Sequence, residues 1–361
     1  MQFVQVAAES QPVMPISKFP RGVIWAVATA LLALAGGATA TAIGLPAAWL
    51  MGAMIAVGVA AIADLPVGLP NRLREVAFLL LGISIGSSVT PGIIGELRAW
   101  PGSILLLFIS IAATVLVSST YLQRVHGWDR TTARFASMPG AFSSVAIIAA
   151  ESDADLPRVI LAQSLRVFTL VALMPPILSL ANGGAVPGSL ADLPEVNSAI
   201  EAIAVFLASA VLALVLNRLK VPAGTFLGAM VTSAALHATG LVHGRFPPAL
   251  VILGFVATGA VIGARFRGTT MTTVMRTLPG ASVSILLALF VSAVFATLGA
   301  WLLGLPFGQL WLALAPGGVE AMAAMALVLN LEPAFVGAHH ILRILALNLV
   351  GPFWLRGKGR S

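Results

Sequence analysis

Cysteine is absent from this 361-residue chain, tyrosine occurs once, and Asp, Glu, Lys and Arg together make up 9%. Without a thiol there is no disulfide, no CxxC redox pair and no thiolate metal site. The five histidines lack HxH or HExxH spacing, which argues against a zinc site. A soluble domain carries about 25% charged residues. A chain this poor in charge cannot clothe a surface that faces water, and lipid is the solvent that accepts it.

Apolar residues supply 59% of the chain, mean hydropathy is +1.01 and the net charge is +7. The basic residues stand between apolar runs rather than in one patch. They read as topology signals facing the cytoplasm, not as a nucleic-acid footprint. Ala38-Thr39-Ala40 resembles a signal-peptide cleavage site, but the chain beyond it recurs later, so the segment is assigned to the fold.

The recurrence is specific. Leu45-Pro46-Ala47 through Gly52-Ala53-Met54 matches Val221-Pro222-Ala223 through Gly228-Ala229-Met230, 176 residues on. One residue later in register, at 177, Gly82 and Gly86 meet Gly259 and Gly263. At the same offset Pro139-Gly140 meets Pro316-Gly317, Arg166 meets Arg343 and Pro175 meets Pro352. Matched Pro, Gly and Arg at a nearly constant spacing are hard to obtain by chance in an apolar chain. They define a polar N-terminal segment (1–20), a first membrane repeat (21–180), a linker (181–198), a second repeat (199–355) and a basic tail (356–361).

The apolar runs are 23–43, 46–63, 74–95, 103–122, 135–151 and 157–180, then 197–217, 222–238, 248–264, 280–303, 308–330 and 334–355. Several fall short of the ~20 residues of a full span or contain Gly and Pro. With a cytoplasmic N-terminus and five net crossings per half, 15 of the 20 basic residues face inward. The outside loops then hold only Arg98 and Arg245, and the linker carries Asp192 and Glu195 without any Lys or Arg. An odd count inverts the second half relative to the first. The expected fold is therefore all-α: a polytopic transmembrane bundle of two inverted repeats with broken or re-entrant helices, an architecture of secondary transporters. Twelve full spans in parallel repeat is the competing count; it puts the acidic linker and basic tail on one side.

The Pro-Gly blocks are the candidate site. Pro139, Gly140 and Ser143 stand in the first, and Pro316, Gly317, Gly318 and Glu320 in the second. Each reads as the start of a half-helix, with proline in the first turn and free N–H groups suited to an anion. Arg166 and Arg343 lie in apolar helices, where a cation needs a partner and a guanidinium fork suits an anionic group. A structural ion pair of Arg343 with Glu320 is the alternative. Glu320, and His339 and His340 one turn before Arg343, are candidate proton carriers. Trp49, Trp100, Trp128, Trp301, Trp311 and Trp354 fall near predicted span ends, as interface anchors do.

The twofold Leu-Pro-Ala element, the twin Pro-Gly blocks and Val336-Gly337-Ala338-His339-His340-Ile341-Leu342-Arg343 resemble the AbrB membrane protein family. The resemblance implies a duplicated membrane domain, a label as regulator of gene expression, and a distant likeness to transporters with inverted five-helix repeats. Some members carry an ammonia monooxygenase label, for which no copper ligand set is visible. The family's Pro-Gly-Gly-x-x-Glu-Met pattern is kept in part, with Glu320 shifted one place and Ala321 before Met322.

The expected function is secondary transport of a small anionic solute, coupled to a proton or sodium ion. The alternative is a membrane-embedded sensor acting on gene expression through a partner. No enzymatic activity, cofactor, metal or direct nucleic-acid contact is expected. Membrane lipids and the solute are the partners, with a homo-oligomer left open. The expected location is the bacterial inner membrane, with both termini cytoplasmic. Reporter fusions at Asn182 and at the C-terminus should report opposite sides of the membrane.

Overall fold

A computed structural model describes residues 22–89, 100–139, 142–181, 199–242, 244 and 246–355; for residues 143, 144 and 348–355 it describes the backbone alone. The N-terminal segment, most of the linker, the basic tail, Gly140, Arg98, Arg245 and the side chains of Ser143 and Trp354 lie outside the described residues.

Among the described residues there are fourteen α-helices and no strand. Seven come before the linker: α1 (Gly22–Ala42), α2 (Ala48–Ile62), α3 (Asn71–Gly86), α4 (Trp100–His126), α5 (Arg130–Ser137), α6 (Phe142–Ala150) and α7 (Leu156–Ala181). Seven follow: α8 (Ala199–Arg218), α9 (Gly224–Ala238), α10 (Pro248–Gly263), α11 (Met271–Leu303), α12 (Phe307–Leu314), α13 (Val319–Val328) and α14 (Pro333–Leu355). Both series pass through the same order of long and short elements. Six helices are long and apolar enough to cross a bilayer. The protein is an all-α, multi-pass membrane bundle.

The repeated Pro-Ala element explains a shared local feature. Ala47 and Ala223 precede α2 and α9, and both take a left-handed backbone (φ 52° and 56°). That conformation costs an L-residue roughly 1–2 kcal/mol. It reverses the chain so tightly that α1 packs on α2, and α8 on α9.

The glycine pairs set how the halves meet. A methyl group at Gly82 would lie 2.5 Å from the Phe226 carbonyl, and one at Gly259 would lie 2.4 Å from that of Leu50. Gly86 and Gly263 repeat this against Met230 and Met54, at 2.4 and 2.6 Å. The third helix of each half is therefore pressed, backbone on backbone, against the second helix of the other. Small residues permit that approach. In both pairs the contacts advance together along the chain, so these helices run parallel.

The fourth helices behave differently. Along α4 and α11, Gly102 meets Leu303, Leu106 meets Gly299, and His126 meets Gly280. Between them the Ser118 hydroxyl donates to the Ser284 carbonyl at 3.1 Å. One chain ascends as the other descends, so α4 and α11 lie antiparallel.

Backbone contact leaves no room for relaxation at these glycines. Gly86→Ala is expected to lose about 1–3 kcal/mol of stability. Leu207→Ala, on the outward face of α8, should change little; thermal unfolding in detergent compares the two.

Candidate functional site at the paired helix breaks

The residue before a proline is biased away from helix. Met138 (φ −71°, ψ 119°) and Ala315 (φ −60°, ψ 142°) are extended for this reason and end α5 and α12. Pro139 and Pro316 therefore sit in the links between two short helices. This corrects the expectation that they occupy the first helical turn: α13 begins at Val319 with Gly318 as its N-cap, and α6 begins at Phe142.

Each broken pair doubles back. In the first half Asp155, just beyond α6, donates its backbone N–H to the Thr132 hydroxyl in the first turn of α5 at 2.7 Å. In the second half Leu331, just beyond α13, packs where a Gly308 side chain would begin, at the start of α12. The entrance and exit of each pair thus lie at one level, and the Pro-Gly link is the tip.

The last carbonyls of a helix have no partner within it and carry partial negative charge. At the tips these carbonyls are held by arginine. Nη1 of Arg166 donates to the carbonyls of Met138 (3.2 Å) and Ala136 (3.4 Å), and Nη2 donates to the Gln163 amide oxygen. Nη1 of Arg343 donates to the Ala315 carbonyl (2.7 Å), and Nη2 to that of Gly317 and to Nδ1 of His340. Gln163 binds the Phe135 carbonyl at 2.7 Å, and Nε2 of His340 binds that of Leu312 at 2.9 Å. Since Nε2 must donate there, Nδ1 of His340 accepts from Arg343. Gln163 and His340 thus do the same work with different chemistry.

Both guanidinium forks are turned onto the protein's own backbone. The alternative reading, an Arg343–Glu320 ion pair, is not formed. Among the described residues, only Nε of each arginine is left without a partner. His339 is fully buried away from the tip, with Nδ1 on the Phe335 carbonyl (2.8 Å) and Nε2 on the Ser103 hydroxyl (2.9 Å).

Glu320 stands in the first turn of α13, among buried neighbours, yet part of its surface stays open. The charges acting on it are those of Arg265 and Arg74. Arg265 leaves the 3-10 turn Ala264–Phe266 after α10, and its guanidinium carbon lies 5.0 Å from the ring centre of Phe142, the first residue of α6. Its charge also acts on Arg166, and Arg166 acts on Arg343. The breaks thus gather charged groups from several elements: Arg166 and Arg343 on the tip carbonyls, Arg265 beside the start of α6 and Glu320 in the first turn of α13.

The chain matches the family model "Transition state regulatory protein AbrB" over residues 49–357. The chain belongs to the AbrB family. It is 28% identical over 315 residues to the "Putative regulator AbrB" of Escherichia coli (strain K12), an alignment covering 86% of this chain and 90% of that protein. It is 27% identical over 361 residues to the "Uncharacterized protein YhjN" of Bacillus subtilis (strain 168), with 92% of each covered.

One charge of this AbrB-family site, Arg265, was among the basic residues read from sequence as topology signals. Arg265 directly follows the Gly259–Gly263 pair, which is pressed against α2, so it cannot lie in a free loop. Its first-half counterpart is Ser88, and a charge present in only one of two matched runs was the available sign. Two tryptophans also depart from the anchor reading. Trp311 is buried, its indole N–H shared between the Leu289 carbonyl (3.3 Å) and the Ser292 hydroxyl (3.1 Å). Trp128 is buried beneath Arg158. Trp301, 80% exposed, keeps an outward position.

Because Gln163 already fills the equivalent place, His340→Gln should leave stability within about 1 kcal/mol of the parent. His340→Leu strands the Leu312 carbonyl and should cost about 1–3 kcal/mol. Arg343→Lys should also cost about 1–3 kcal/mol, because one ammonium lacks the planar fork that spans two carbonyls. Unfolding midpoints of the three purified variants check this.

Proposed function

We propose that this protein is a secondary transporter of a small anionic solute, built as two inverted repeats around the paired helix breaks. One observation carries the reading: charged side chains from both halves collect at two broken, doubled-back hairpins inside an apolar bundle. Non-helical backbone at membrane depth is tolerated where it is buried in protein or lines a water-filled cavity. Support for inversion comes from the antiparallel packing of α4 on α11 and from the reciprocal glycine contacts, which pair equivalent residues across the halves.

The solute is read as anionic because cations dominate the centre and helices α6 and α13 begin there. Arg265 offers its guanidinium from the α10 side and Glu320 carries the coupling proton. Pro139, Pro316, Gly317 and Gly318 form the tips that the solute meets; Gly140 and Ser143 stay candidates from the sequence alone. Arg166 and Arg343 hold the tips in shape, and His340 supports Arg343; His339, turned to Phe335 and Ser103, lies apart from them. The location is the bacterial inner membrane with both termini in the cytoplasm. No enzymatic activity is proposed.

The word "regulator" in the Escherichia coli relative's name favours a second reading, a membrane sensor that alters gene expression through a partner. A transporter whose solute is an inducer would register genetically in the same way.

Proteoliposomes offered a panel of small carboxylates, sulfonates and phosphate under an imposed pH gradient test the proposal. Arg265→Gln should cut uptake about tenfold or more, the loss of one charged hydrogen bond. Glu320→Gln should remove the dependence on the gradient. Arg218→Gln, at the exposed end of α8, should match the parent. Parent-like uptake by Arg265→Gln would remove Arg265 from the mechanism.

A further inference from the structure

Helix-end carbonyls at a break in the membrane are partly negative oxygens, and in transporters built from broken helices they coordinate the coupling ion. In this protein those oxygens are occupied by its own side chains. Arg166 is surrounded by the carbonyls of Ala136 and Met138 and by the Gln163 amide oxygen. Arg343 is surrounded by the carbonyls of Ala315 and Gly317 and by Nδ1 of His340. The neighbouring carbonyls of Phe135 and Leu312 are taken by Gln163 and His340. Gln163 also donates to the Met138 carbonyl at 2.9 Å.

Both carbonyl cages are closed. Arg166 is 5% exposed and Arg343 1%. An inorganic cation could reach these oxygens only by displacing a guanidinium that its own helix, α7 or α14, holds in place. Each tip therefore carries one fixed positive charge.

Little else nearby could hold a metal ion. Hard cations are bound by shells of oxygen ligands, carboxylates foremost. Glu320 is the only carboxylate in the six helices that form the two hairpins and carry the arginines (α5, α6, α7, α12, α13 and α14). Among the described residues no three of His, Cys, Asp and Glu come together to hold a metal. A proton needs no such shell, since a single carboxylate oxygen takes it.

We propose that Arg166 and Arg343 are tethered substitutes for coupling cations, so that the breaks bind neither Na+ nor K+ and the solute moves with protons alone. The filled cages follow from hydrogen bonding and burial. The choice of coupling ion rests on the transport reading above, and of the two ions open from sequence it removes sodium.

The test begins with the purified full chain in detergent. Unfolding midpoints are measured in sodium, potassium and N-methylglucamine chloride at constant ionic strength. The parent should give the same midpoint in all three. A saturable rise with Na+ or K+ would overturn the proposal. Arg166→Ala empties the first cage and should unfold at a lower temperature. Millimolar methylguanidinium should raise the midpoint of Arg166→Ala saturably and leave the parent's unchanged. A folded Arg166→Ala that ignores methylguanidinium would count against a cation cage. Should that variant not fold, the parent's salt series decides by itself. In proteoliposomes under a pH gradient, replacing Na+ with N-methylglucamine should leave uptake unchanged. Uptake that requires Na+ would overturn proton-only coupling. No uptake of any anion in either salt would sink the transport reading alone, and the midpoints would still decide whether the cages are filled.

Discussion

The structure depends on how a broken helix is made tolerable where there is no water to bind its loose ends. Interrupting a helix at membrane depth frees carbonyls, each costly if left unpaired. Here α5 and α12 end at pre-proline residues, and the freed carbonyls are taken up by Arg166 with Gln163 and by Arg343 with His340. The exchange works in both directions. The guanidinium needs acceptors as much as the carbonyls need donors, and a helix C-terminus offers acceptors together with a favourable dipole. This explains how two arginines persist among apolar helices without a carboxylate partner among the described residues.

Around that interaction the glycine contacts act as the frame. Gly82, Gly86, Gly259 and Gly263 bring the second and third helices of opposite halves to backbone contact. The breaks are thereby held at fixed positions relative to α3 and α10. The same frame explains Arg265. A helix pressed against α2 along Gly259 and Gly263 carries the residue that follows it toward Phe142 and Glu320. A rigid, glycine-lined contact thus delivers a charge to the centre of an apolar protein.

The two halves use equivalent positions unequally. Ser143 stands where Glu320 does, Ser88 where Arg265 does, and Gln163 where His340 does. One half keeps the shape of the break with neutral groups, while the other adds ionisable ones. A perfectly repeated site would concentrate like charges at one centre, and their repulsion in a medium of low polarity would be severe. The difference between the halves relieves that repulsion.

Composition alone determined that this is a helical membrane protein, because lipid is the one solvent that accepts so apolar a surface. The Pro-Gly breaks and the helices carrying Arg166 and Arg343 were also legible, since proline, glycine and intramembrane charge disturb the apolar pattern locally. Where those arginines point was not legible. The fork that suits an anion suits a helix's last carbonyls equally well, and residues about 28 apart along the chain meet only through the doubling-back of the hairpin. Arg265 escaped for the same reason: a basic residue after an apolar run looks like a loop signal until packing fixes where its helix ends. Residue types and spacings are properties of the chain, but hydrogen-bond partners and shared electrostatic centres belong to contacts between distant segments, and tertiary structure alone decided those.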